Sequence, residues 1–486
     1  MKRYLLILSI ILAVVTHSCQ ESRISDIPGL YLHYLLAGET TDNSVILQAR
    51  MGKSDTLIDY DIKGAEGYIR FELSDNIEFE DSKVFPWQST LPENDLIAKE
   101  YITGLEPGKT YLYRCHYGFD KTEYVVSEPG KFKTLQGREG SDPVRLVMVT
   151  GSNYHRFKSG GKGGAIGEIF PPATPEELKK GFPGHVTILE QEPDYWIGNG
   201  DNVYYDQPAE EAAETVDEMR AFWHRLYSMP RFKSLLLNTS TFWLKDDHDR
   251  RYDDSDTTDY SRKNGQHRPL PTNADGINTF LEQVPVPEKT YRTYRINQTL
   301  QIWMVEGRDY RSPNTDPDGP EKSIWGKEQL EWLKTTLLES DAPHKLLISP
   351  TPMIGPDDNW KIDNHCNLEG FRIERDRFFQ WLADNQLIGS GFYVLCGDRH
   401  WQYHAVDPSG VEEFSCGALV DANSRYGRVA GDPESTDPEG LISQPYLQEK
   451  PSGGFLLFES GKKDSGPYLT FRYFDEKGTQ LYEITK

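Results

Sequence analysis

Four apolar segments of this chain each change abruptly into a group of carboxylate, imidazole or guanidinium side chains. The segments are YWIGNGD, STFWLKDDHD, QIWMVEGRD and FYVLCGDRH. Short, continuously apolar runs are typical of strands buried on both faces, as in the sheet of an α/β domain. Because sites in such domains lie beyond the ends of their strands, the four segments predict a single site assembled from distant parts of the chain.

The first junction places Asp201 directly after Gly200, with Tyr204 three residues later. A carboxylate in this position can bridge two cations, and glycine lets the backbone approach them closely. Taken alone, the pattern is more typical of a turn aspartate beside a buried tyrosine. Its interpretation as a metal ligand therefore depends on the other junctions.

The second junction surrounds one imidazole with three carboxylates: Asp246, Asp247, His248 and Asp249. Their mutual repulsion at the end of an apolar strand predicts a compensating cation, and a metal ion is the simplest one. The alternative is a solvated acidic loop that pairs with Arg250 and Arg251.

The third junction supplies Asp398 and His400, which follow Gly397. Alternate residues of an extended loop can point into one site, so this pair offers an oxygen and a nitrogen ligand together. We expect the approach to the pair to be lined by Trp401, Tyr403 and His404.

The fourth junction carries Arg308, Asp309, Tyr310 and Arg311. The planar guanidinium fork of Arg308 or Arg311 suits an oxyanion, so either residue could hold substrate or brace a ligating carboxylate. Structural ion pairing explains this segment equally well.

Composition separates two domains. Residues 30–138 consist of short alternating strands punctuated by Gly, Pro and Asp, which predicts an all-β sandwich of the fibronectin or immunoglobulin type. After a polar, Gly-rich stretch, residues 143–486 alternate buried strands with helices that begin at Thr174 and Thr215, where capping signals precede the apolar pattern. This second part is predicted to be a layered α/β domain.

The first residues predict export. Residues 1–18 have a basic start and an apolar run of about a dozen residues, too short to span a bilayer, which indicates a signal peptide. Ser18 before Cys19 resembles a lipoprotein cleavage box, although Thr16 departs from the usual aliphatic residue. We expect lipid attachment at Cys19, a linker over residues 19–29, and a bacterial lipoprotein in the periplasm or on the outer membrane or cell surface. The alternative is an ordinary secretory signal with an incidental cysteine.

The remaining cysteines are Cys115, Cys366, Cys396 and Cys416. In an exported chain they could form two disulfides, but their spacing does not reveal the pairing. Cys396 and Cys416 lie in strand-like runs, which favours buried thiols.

The net charge of -23 excludes an extended nucleic-acid groove, because such grooves depend on clustered Lys and Arg. A small anionic substrate remains compatible with this charge, since a bound metal reverses the local sign.

The motifs GDNVYYD, WLKDDHD, EGRDYR, WGKEQLEWL and VLCGDRHWQYH occur in an order that resembles the PhoD-like alkaline phosphatase D family of calcineurin-type metallohydrolases. The resemblance implies an α/β core, a two-sheet β-sandwich flanked by helices, behind the N-terminal all-β domain. It also implies iron and calcium ions. By this resemblance Asp201 bridges the metals, Tyr204 binds iron, and Asp398 and His400 complete the site. By the same resemblance, Asp247 and His248 occupy the positions of the superfamily's Asn-His element.

One position departs from the family pattern. The family usually has a cysteine ligand after the first strand of the catalytic domain, where this chain has Ser152. A hydroxyl is a poorer ligand than thiolate for ferric iron, so calcium, manganese or zinc are alternatives, and Asn153 or His155 could substitute as a ligand.

Together these features predict two metal ions about 3.5–4 Å apart that activate water for attack on a phosphate or sulfate ester. Arg250 or Arg399 is expected to neutralise substrate oxygens, and His248 or His400 to protonate the leaving group. Aromatic residues beside the site favour a sulfated or phosphorylated carbohydrate. The alternatives are a sulfatase acting on sulfated oligosaccharides, an inactive metal-containing surface binding protein, and a calcium-stabilised adhesin.

Overall fold

The regular elements alternate between sheet and helix from residue 144 onward, and are almost all strands before it. The computed structural model describes residues 21–162, 169–258 and 271–486. The strands are β1 (Ser22–Arg23), β2 (Tyr31–Gly38), β3 (Ser44–Gly52), β4 (Gly67–Ser74), β5 (Lys83–Val84), β6 (Gln88–Thr90), β7 (Ile97–Thr103), β8 (Thr110–Gly118), β9 (Glu123–Val126), β10 (Gly130–Lys133), β11 (Val144–Val149), β12 (Gly161–Lys162), β13 (Ile169–Phe170), β14 (Tyr195–Asn199), β15 (Ser240–Leu244), β16 (Arg292–Arg295), β17 (Leu300–Met304), β18 (His344–Ser349), β19 (Phe392–Cys396), β20 (Gln402–Val406), β21 (Glu412–Cys416), β22 (Ser443–Leu447), β23 (Gly454–Lys463), β24 (Gly466–Asp475) and β25 (Gln480–Thr485). The helices are α1 (Tyr154–Ser159), α2 (Pro175–Lys180), α3 (Gly184–Glu190), α4 (Val216–Ser228), α5 (Pro230–Asn238), α6 (Asn273–Gln283), α7 (Gly326–Glu339) and α8 (Arg372–Asp384), with short 3-10 helices at Pro92–Asn94, Ala209–Glu211 and Asp421–Asn423.

Two large sheets pack face to face at the centre of the catalytic part. One has the order β25-β24-β23-β11-β14-β15-β2-β3-β7, and the other has the order β16-β17-β18-β19-β21-β20-β22. Alternate residues of the central strands point to opposite faces. Leu146 and Met148 of β11 meet Ile302 and Leu346 of the facing sheet in a buried core, whereas Val147 turns outward.

Helices cover the outer face of each sheet. Val147 and its neighbours pack against α3 to α6, and the outward residues of β17, β18 and β19 pack against α7 and α8. The result is four layers, helix, sheet, sheet and helix, in agreement with the predicted α/β class. Strands β11, β14 and β15 run parallel, as do β17, β18 and β19, so the functional loops follow the carboxyl ends of neighbouring strands.

The N-terminal part forms a β-sandwich that shares a sheet with the catalytic part. Strands β2, β3 and β7 pack against the sheet containing β4 and β8 around a common core. Strand β2 also pairs in parallel with β15, with Gly38 beside Thr241. A Cβ atom on Gly38 would lie 2.4 Å from Pro285, so glycine allows this close approach. The sequence analysis does not predict this continuity across the proposed boundary.

Local sequence signals agree with most helix boundaries. Thr215 and Glu218 form a reciprocal capping box at the start of α4. Thr174 caps α2 through the amide of Glu177, but the Glu177 carboxylate pairs with Arg231 instead of completing a box.

The four cysteines of the described residues are buried free thiols, as favoured for Cys396 and Cys416. No helix in the described ranges combines the length and the apolar character needed to cross a bilayer. The predicted signal peptide and Cys19 lie outside the described residues.

A buried polar cluster joins the sandwich to α4. His224 contacts Asp61 at 2.6 Å through Nδ1 and Asp95 at 2.5 Å through Nε2. Arg50 donates to Asp95 at 3.0 Å. Burial opposes ionisation of Asp95, but His224 and Arg50 outweigh it and lower its pKa to about 2. The ion pairs of this cluster connect the two parts of the chain.

We expect Asp95→Ala to lower the free energy of unfolding by about 3–5 kcal/mol, because it leaves the buried Arg50 guanidinium without its carboxylate partner. Denaturant titration at neutral pH measures this loss. It should shrink as the pH falls from about 4 toward 2, since a carboxylate with a depressed pKa stabilises the fold only while ionised. Exposed Glu78→Ala is the control, and an equal effect of both changes would contradict this role of the cluster.

Candidate metal centre

The ends of neighbouring strands bring together the ligands predicted from separate segments. Candidate ligand atoms of Asp201, Asp247 and His248 all lie within 4.8 Å of one another, and all three residues are buried. The first follows β14 and the other two follow β15, its parallel neighbour. His400, which follows β19 of the facing sheet, has its Nε2 atom 3.4 Å from Asp201 Oδ2. The structure therefore brings these four residues together.

Asp201 lies in a tightly constrained turn. Its φ is 54°, and that of Gly200 is 81°. A Cβ atom on Gly200 would lie 2.5 Å from the Cβ atom of Asp246, so only glycine fits. Tyr204 donates from its hydroxyl to Asp201 Oδ2 at 2.8 Å and lies 3.2 Å from His400 Nε2. Backbone geometry therefore fixes this carboxylate against both the phenol and the imidazole.

The other oxygen of Asp201, Oδ1, is buried without a hydrogen-bond partner among the described residues. Burial raises the pKa of Asp201 well above its usual value, and the carboxylate of Asp247 raises it further. A bound cation would supply the missing partner and favour the ionised form. The donor set of carboxylate, phenol and imidazole groups fits a metal ion of the hard or intermediate class.

The ring of His248 is oriented by a residue that the sequence analysis missed. Its Nδ1 atom contacts Asp206 Oδ1 at 2.7 Å, which leaves Nε2 as the nitrogen available to a metal ion. Burial lowers the pKa of His248, but Asp206 and Asp247 outweigh it and raise that pKa well above its ordinary value. A carboxylate on the far nitrogen is a common arrangement for a metal-bound histidine.

Asp246 and Asp249 do not join the cluster, although they flank it in sequence. Arg308 donates to Asp246 at 2.5 Å, and Asp249 accepts the backbone amide of Asp246 and that of Asn202. These two carboxylates hold the loop in place.

A second acidic group adjoins the first and contains Asp247, Asp254 and Asp363. The protein supplies cations here, because Lys361 bonds to Asp254 and Arg308 donates to Asp363 at 3.0 Å. Asp254, Asp363 and Lys361 are not predicted from the sequence. They lie in irregular segments where no apolar strand precedes them, and the DD pair at residues 253 and 254 was the only signal.

The ion pairs of Arg308 and Arg399 show which of the predicted roles the charged residues of the third and fourth junctions have. Arg308 braces carboxylates, which was one of its two predicted roles. Asp398 is held by Arg399, which also pairs with Asp357 and is almost completely buried. Asp398 has a φ of 58°, and burial together with the charges of Asp363 and Asp247 raises its pKa above the usual value.

The predicted substrate contact of Arg250 and Arg399 is corrected. Arg250 is fully buried, and its Nη atoms donate to the carbonyl of Asp256 and the side chain of Asn273. Since Arg399 is likewise committed to two carboxylates, neither guanidinium is free to hold a substrate oxygen. Both act as braces.

Of the three candidates near the usual cysteine position, Ser152 and His155 line one cavity and remain candidates, and Asn153 does not. Ser152 donates its amide to the Asp201 carbonyl at 2.9 Å and lines a cavity with Tyr204. Both oxygens of Asn153 are engaged within α1: Oδ1 accepts the Arg156 amide at 3.0 Å, and the backbone carbonyl accepts the Phe157 amide at 3.0 Å. The prediction of Asn153 as a ligand is therefore wrong on geometry.

The aromatic lining predicted after His400 is also corrected. Trp401, Tyr403 and His404 are buried, the first two within the core beneath α7 and α8. His404 contacts Glu412 at 2.7 Å. Strand β20 begins at Gln402, so these residues belong to a covered sheet and not to an open approach.

Two further site residues escaped the sequence analysis. Asn423 donates to the Tyr204 hydroxyl at 3.0 Å and to the Gly151 carbonyl at 3.1 Å. Arg425 donates its amide to the His400 carbonyl at 3.0 Å, and its side chain is 31% exposed. Arg425 is thus an accessible cation adjoining the ligand cluster.

The family model for PhoD-like phosphatases matches residues 148–445, more than half of the sequence. The chain belongs to the PhoD-like phosphatase family. Membership in this family supports the interpretation of the chain as a metal-dependent phosphoester hydrolase. The matched region contains every ligand of the cluster described above.

Solved structures agree with the fold. The structure of PhoD has a TM-score of 0.67 at 15% identity, covering 93% of this chain and 91% of PhoD. The purple acid phosphatase PPD1 from seeds of yellow lupin (Lupinus luteus) has a TM-score of 0.58 at 12% identity, covering 94% of this chain and 74% of that chain. The comparison with curated proteins gives no match. These similarities show that the chain shares its fold with PhoD and with the purple acid phosphatase.

We expect Ser152→Cys to increase the affinity of the centre for ferric iron at least ~10-fold, since thiolate is a stronger ligand than a hydroxyl. Iron titration followed by elemental analysis measures the change. Ser152→Ala is the matched control and should bind iron no more tightly than the parent protein. Equal iron affinity of the Cys and Ala variants would show that residue 152 does not face the metal.

Proposed function

We propose that this PhoD-like protein is an exported hydrolase that cleaves small phosphate esters at a centre of two metal ions. The observation that carries the proposal is the buried group of Asp201, Asp247, His248 and His400, whose Asp201 carboxylate lacks a partner for Oδ1 among the described residues. Carboxylates that cost so much to bury together are explained by the cations they hold.

The first ion would be held by Asp201, Tyr204, His248 and His400, with Ser152 in the place of the usual cysteine. The second would share Asp201 and Asp247 and draw on Asp398. Such ions lower the pKa of bound water and stabilise negative charge on a phosphoryl group. Lys361 and Arg308 already compensate the neighbouring acidic group, which limits how many ions the chain requires. Calcium, iron, manganese and zinc all remain candidates.

Substrate oxygens need a cation that solvent can reach, and Arg425 meets this requirement better than Arg250 or Arg399. Its guanidinium donates to Asp358 at 2.8 Å and lies 4.4 Å from the centroid of the Trp401 ring. These contacts hold it in one orientation while part of the side chain remains exposed. We assign to Arg425 the role of orienting the peripheral oxygens of the ester.

The two histidines have different roles in this proposal. His400 turns Nε2 toward Tyr204 and Asp201, which suits a ligand and not a proton donor. Asp206 contacts Nδ1 of His248 and leaves Nε2 available, so Nε2 can bind a metal ion or face the leaving oxygen.

Two properties bear on the nature of the ester: the charge of the substrate and the exposed aromatic residues of the protein. A sulfate ester has the same geometry as a phosphate ester but less charge, so a sulfatase is the second candidate. Trp360 and Tyr426, which are 58% and 42% exposed, adjoin Lys361 and Arg425 in sequence and replace the buried Trp401 and Tyr403 as candidates for stacking on a sugar. We retain a sulfated or phosphorylated carbohydrate as the proposed substrate carrier.

We further propose attachment to the membrane through a lipid at Cys19, in the periplasm or on the cell surface. An inactive surface binding protein is the competing function. It would use the same accessible cation to hold an anion but would cleave no ester.

Asp201→Ala should abolish turnover of aryl phosphate, bis-aryl phosphate and aryl sulfate by the metal-reconstituted protein, because the residue links both proposed ions. Asp201→Asn, which removes the charge but tolerates the positive φ of residue 201, should also abolish turnover, and the thermal midpoint of the metal-free protein should not fall because repulsion within the acidic cluster is relieved. Activity retained at the parent level would refute the metal-dependent mechanism. A parent protein that binds metal but cleaves none of these esters would favour the binding protein.

Arg425→Gln should lower kcat for the preferred ester about 10²–10³-fold, as expected when a donor to developing negative charge is removed. Arg156→Gln is the control, because this substitution removes the same charge from an exposed position on α1. Unchanged kcat in Arg425→Gln, with metal content equal to that of the parent, would contradict the assignment.

A further inference from the structure

The second acidic group, formed by Asp247, Asp254 and Asp363, has the geometry of a cation site, and a side chain of the protein reaches into it. Candidate ligand atoms of its three carboxylates lie within 4.8 Å of one another, and all three residues are buried. Lys361 directs its ammonium at this group, where Nζ donates to Asp254 Oδ1. An ammonium in this position supplies the positive charge that a further metal ion would otherwise bring.

Lys361 lies at the edge of the metal centre. Asp253 Oδ1 lies 3.5 Å from Lys361 Nζ and 3.9 Å from His248 Nε2, the nitrogen available to a metal ion. The side chain of Asp253 is 50% exposed, whereas that of Lys361 is 8% exposed. The ammonium is therefore close to the groups of the proposed mechanism and shielded from bulk solvent.

The ammonium has donor capacity that the protein does not use. Of its three N–H groups, two are directed at Asp254 and Asp253. Among the described residues, the other contact of Nζ is with the ring of Trp360, whose centroid is 5.5 Å away. A shielded N–H group without an oxygen acceptor is well suited to bind an oxyanion, because a charge-assisted hydrogen bond is strong there.

Asp358 holds both Lys361 and Arg425 beside the centre. Its carbonyl accepts the Lys361 amide at 3.2 Å, and its carboxylate accepts from the Arg425 guanidinium at 2.8 Å. Arg425 adjoins His400 through its backbone, and Lys361 adjoins His248 through Asp253. Two cations placed beside two different ligands suit two oxygens of one tetrahedral ester.

We propose that Lys361 is a further substrate-binding residue, whose ammonium takes the place of an additional metal ion in the second acidic group and binds a peripheral oxygen of the ester. This inference rests on the proposed function, because the ester is the one held at the metal centre. A purely structural Lys361 would neutralise Asp253 and Asp254 and have no effect on the binding of an oxyanion.

Calcium binding tests the first part of the inference without turnover. Calorimetry on protein whose metal centre is already loaded should reveal one added calcium site in Lys361→Met, with a Kd of about 10⁻³ M or lower, and none in the parent. Lys361→Arg should gain no site, because the positive charge remains. In Lys361→Met/Asp254→Asn the added site should be lost, and asparagine tolerates the φ of 56° at residue 254.

Thermal unfolding reports the same site if Lys361→Met is too unstable for calorimetry. Calcium should then raise the midpoint of this variant by more than it raises that of the parent, because an ion that binds only the folded state stabilises it.

Binding of phenylphosphonate, a non-hydrolysable analogue of a phosphate ester, tests the second part. Before calcium is added, Lys361→Met and the double variant should both bind it at least ~10-fold more weakly than the parent, as expected when a charge-assisted donor is lost. Lys322→Met is the control and should keep the parent affinity. Lys322 is also a buried lysine, but its ammonium donates to the backbone carbonyls of Asn314 and Glu369.

The outcomes separate this inference from the proposed function. No added calcium site in Lys361→Met, or parent-like phosphonate affinity in both variants, would overturn the inference while the parent still cleaves esters. A parent protein that binds phenylphosphonate but cleaves none of the esters would contradict the proposed function alone. Failure of the parent to bind phenylphosphonate at all would contradict both.

Discussion

Mutual repulsion among buried carboxylates is the constraint on which the rest of this structure depends. Asp201 and Asp247 lie with His248 inside the protein, and one oxygen of Asp201 has no hydrogen-bond partner in the described ranges. Such an arrangement is unfavourable unless cations are present. Arg308 and Lys361 supply part of this positive charge. At the centre between Asp201 and His400, the side chains of the protein do not supply it.

The architecture places this unfavourable group where the backbone can hold it. Two sheets packed face to face direct the carboxyl ends of β14, β15 and β19 toward the same region. Asp201 and Asp398 both adopt positive φ, next to glycines that allow close approach of neighbouring chain segments. Strain of this kind persists only when the surroundings are rigid. The shared sheet between β2 and β15 adds to that rigidity and ties the N-terminal sandwich to the catalytic part.

The junction pattern in the sequence was sufficient to predict the layered α/β class and four of the converging site residues. This succeeded because buried parallel strands leave a continuous apolar signal and place polar residues at one edge. Asp254, Asp363, Asn423 and Arg425 were missed because they lie in irregular segments, where spacing does not reveal direction. The same limit explains why Arg250 and Arg399 were wrongly predicted to contact substrate. Both lie within two residues of a ligand in the sequence but donate to internal carbonyl and carboxylate groups. The pairing of β2 with β15 is purely non-local, so no short-range pattern encodes it.

The central claim is that metal ions lie among these side chains, and anomalous scattering from crystals of the metal-reconstituted protein tests it most directly. We expect a peak within about 2–2.6 Å of Asp201, with His400 and His248 also in its coordination sphere. Peaks confined to the protein surface, or a hydrogen-bonded water in place of the ion beside Asp201, would contradict it.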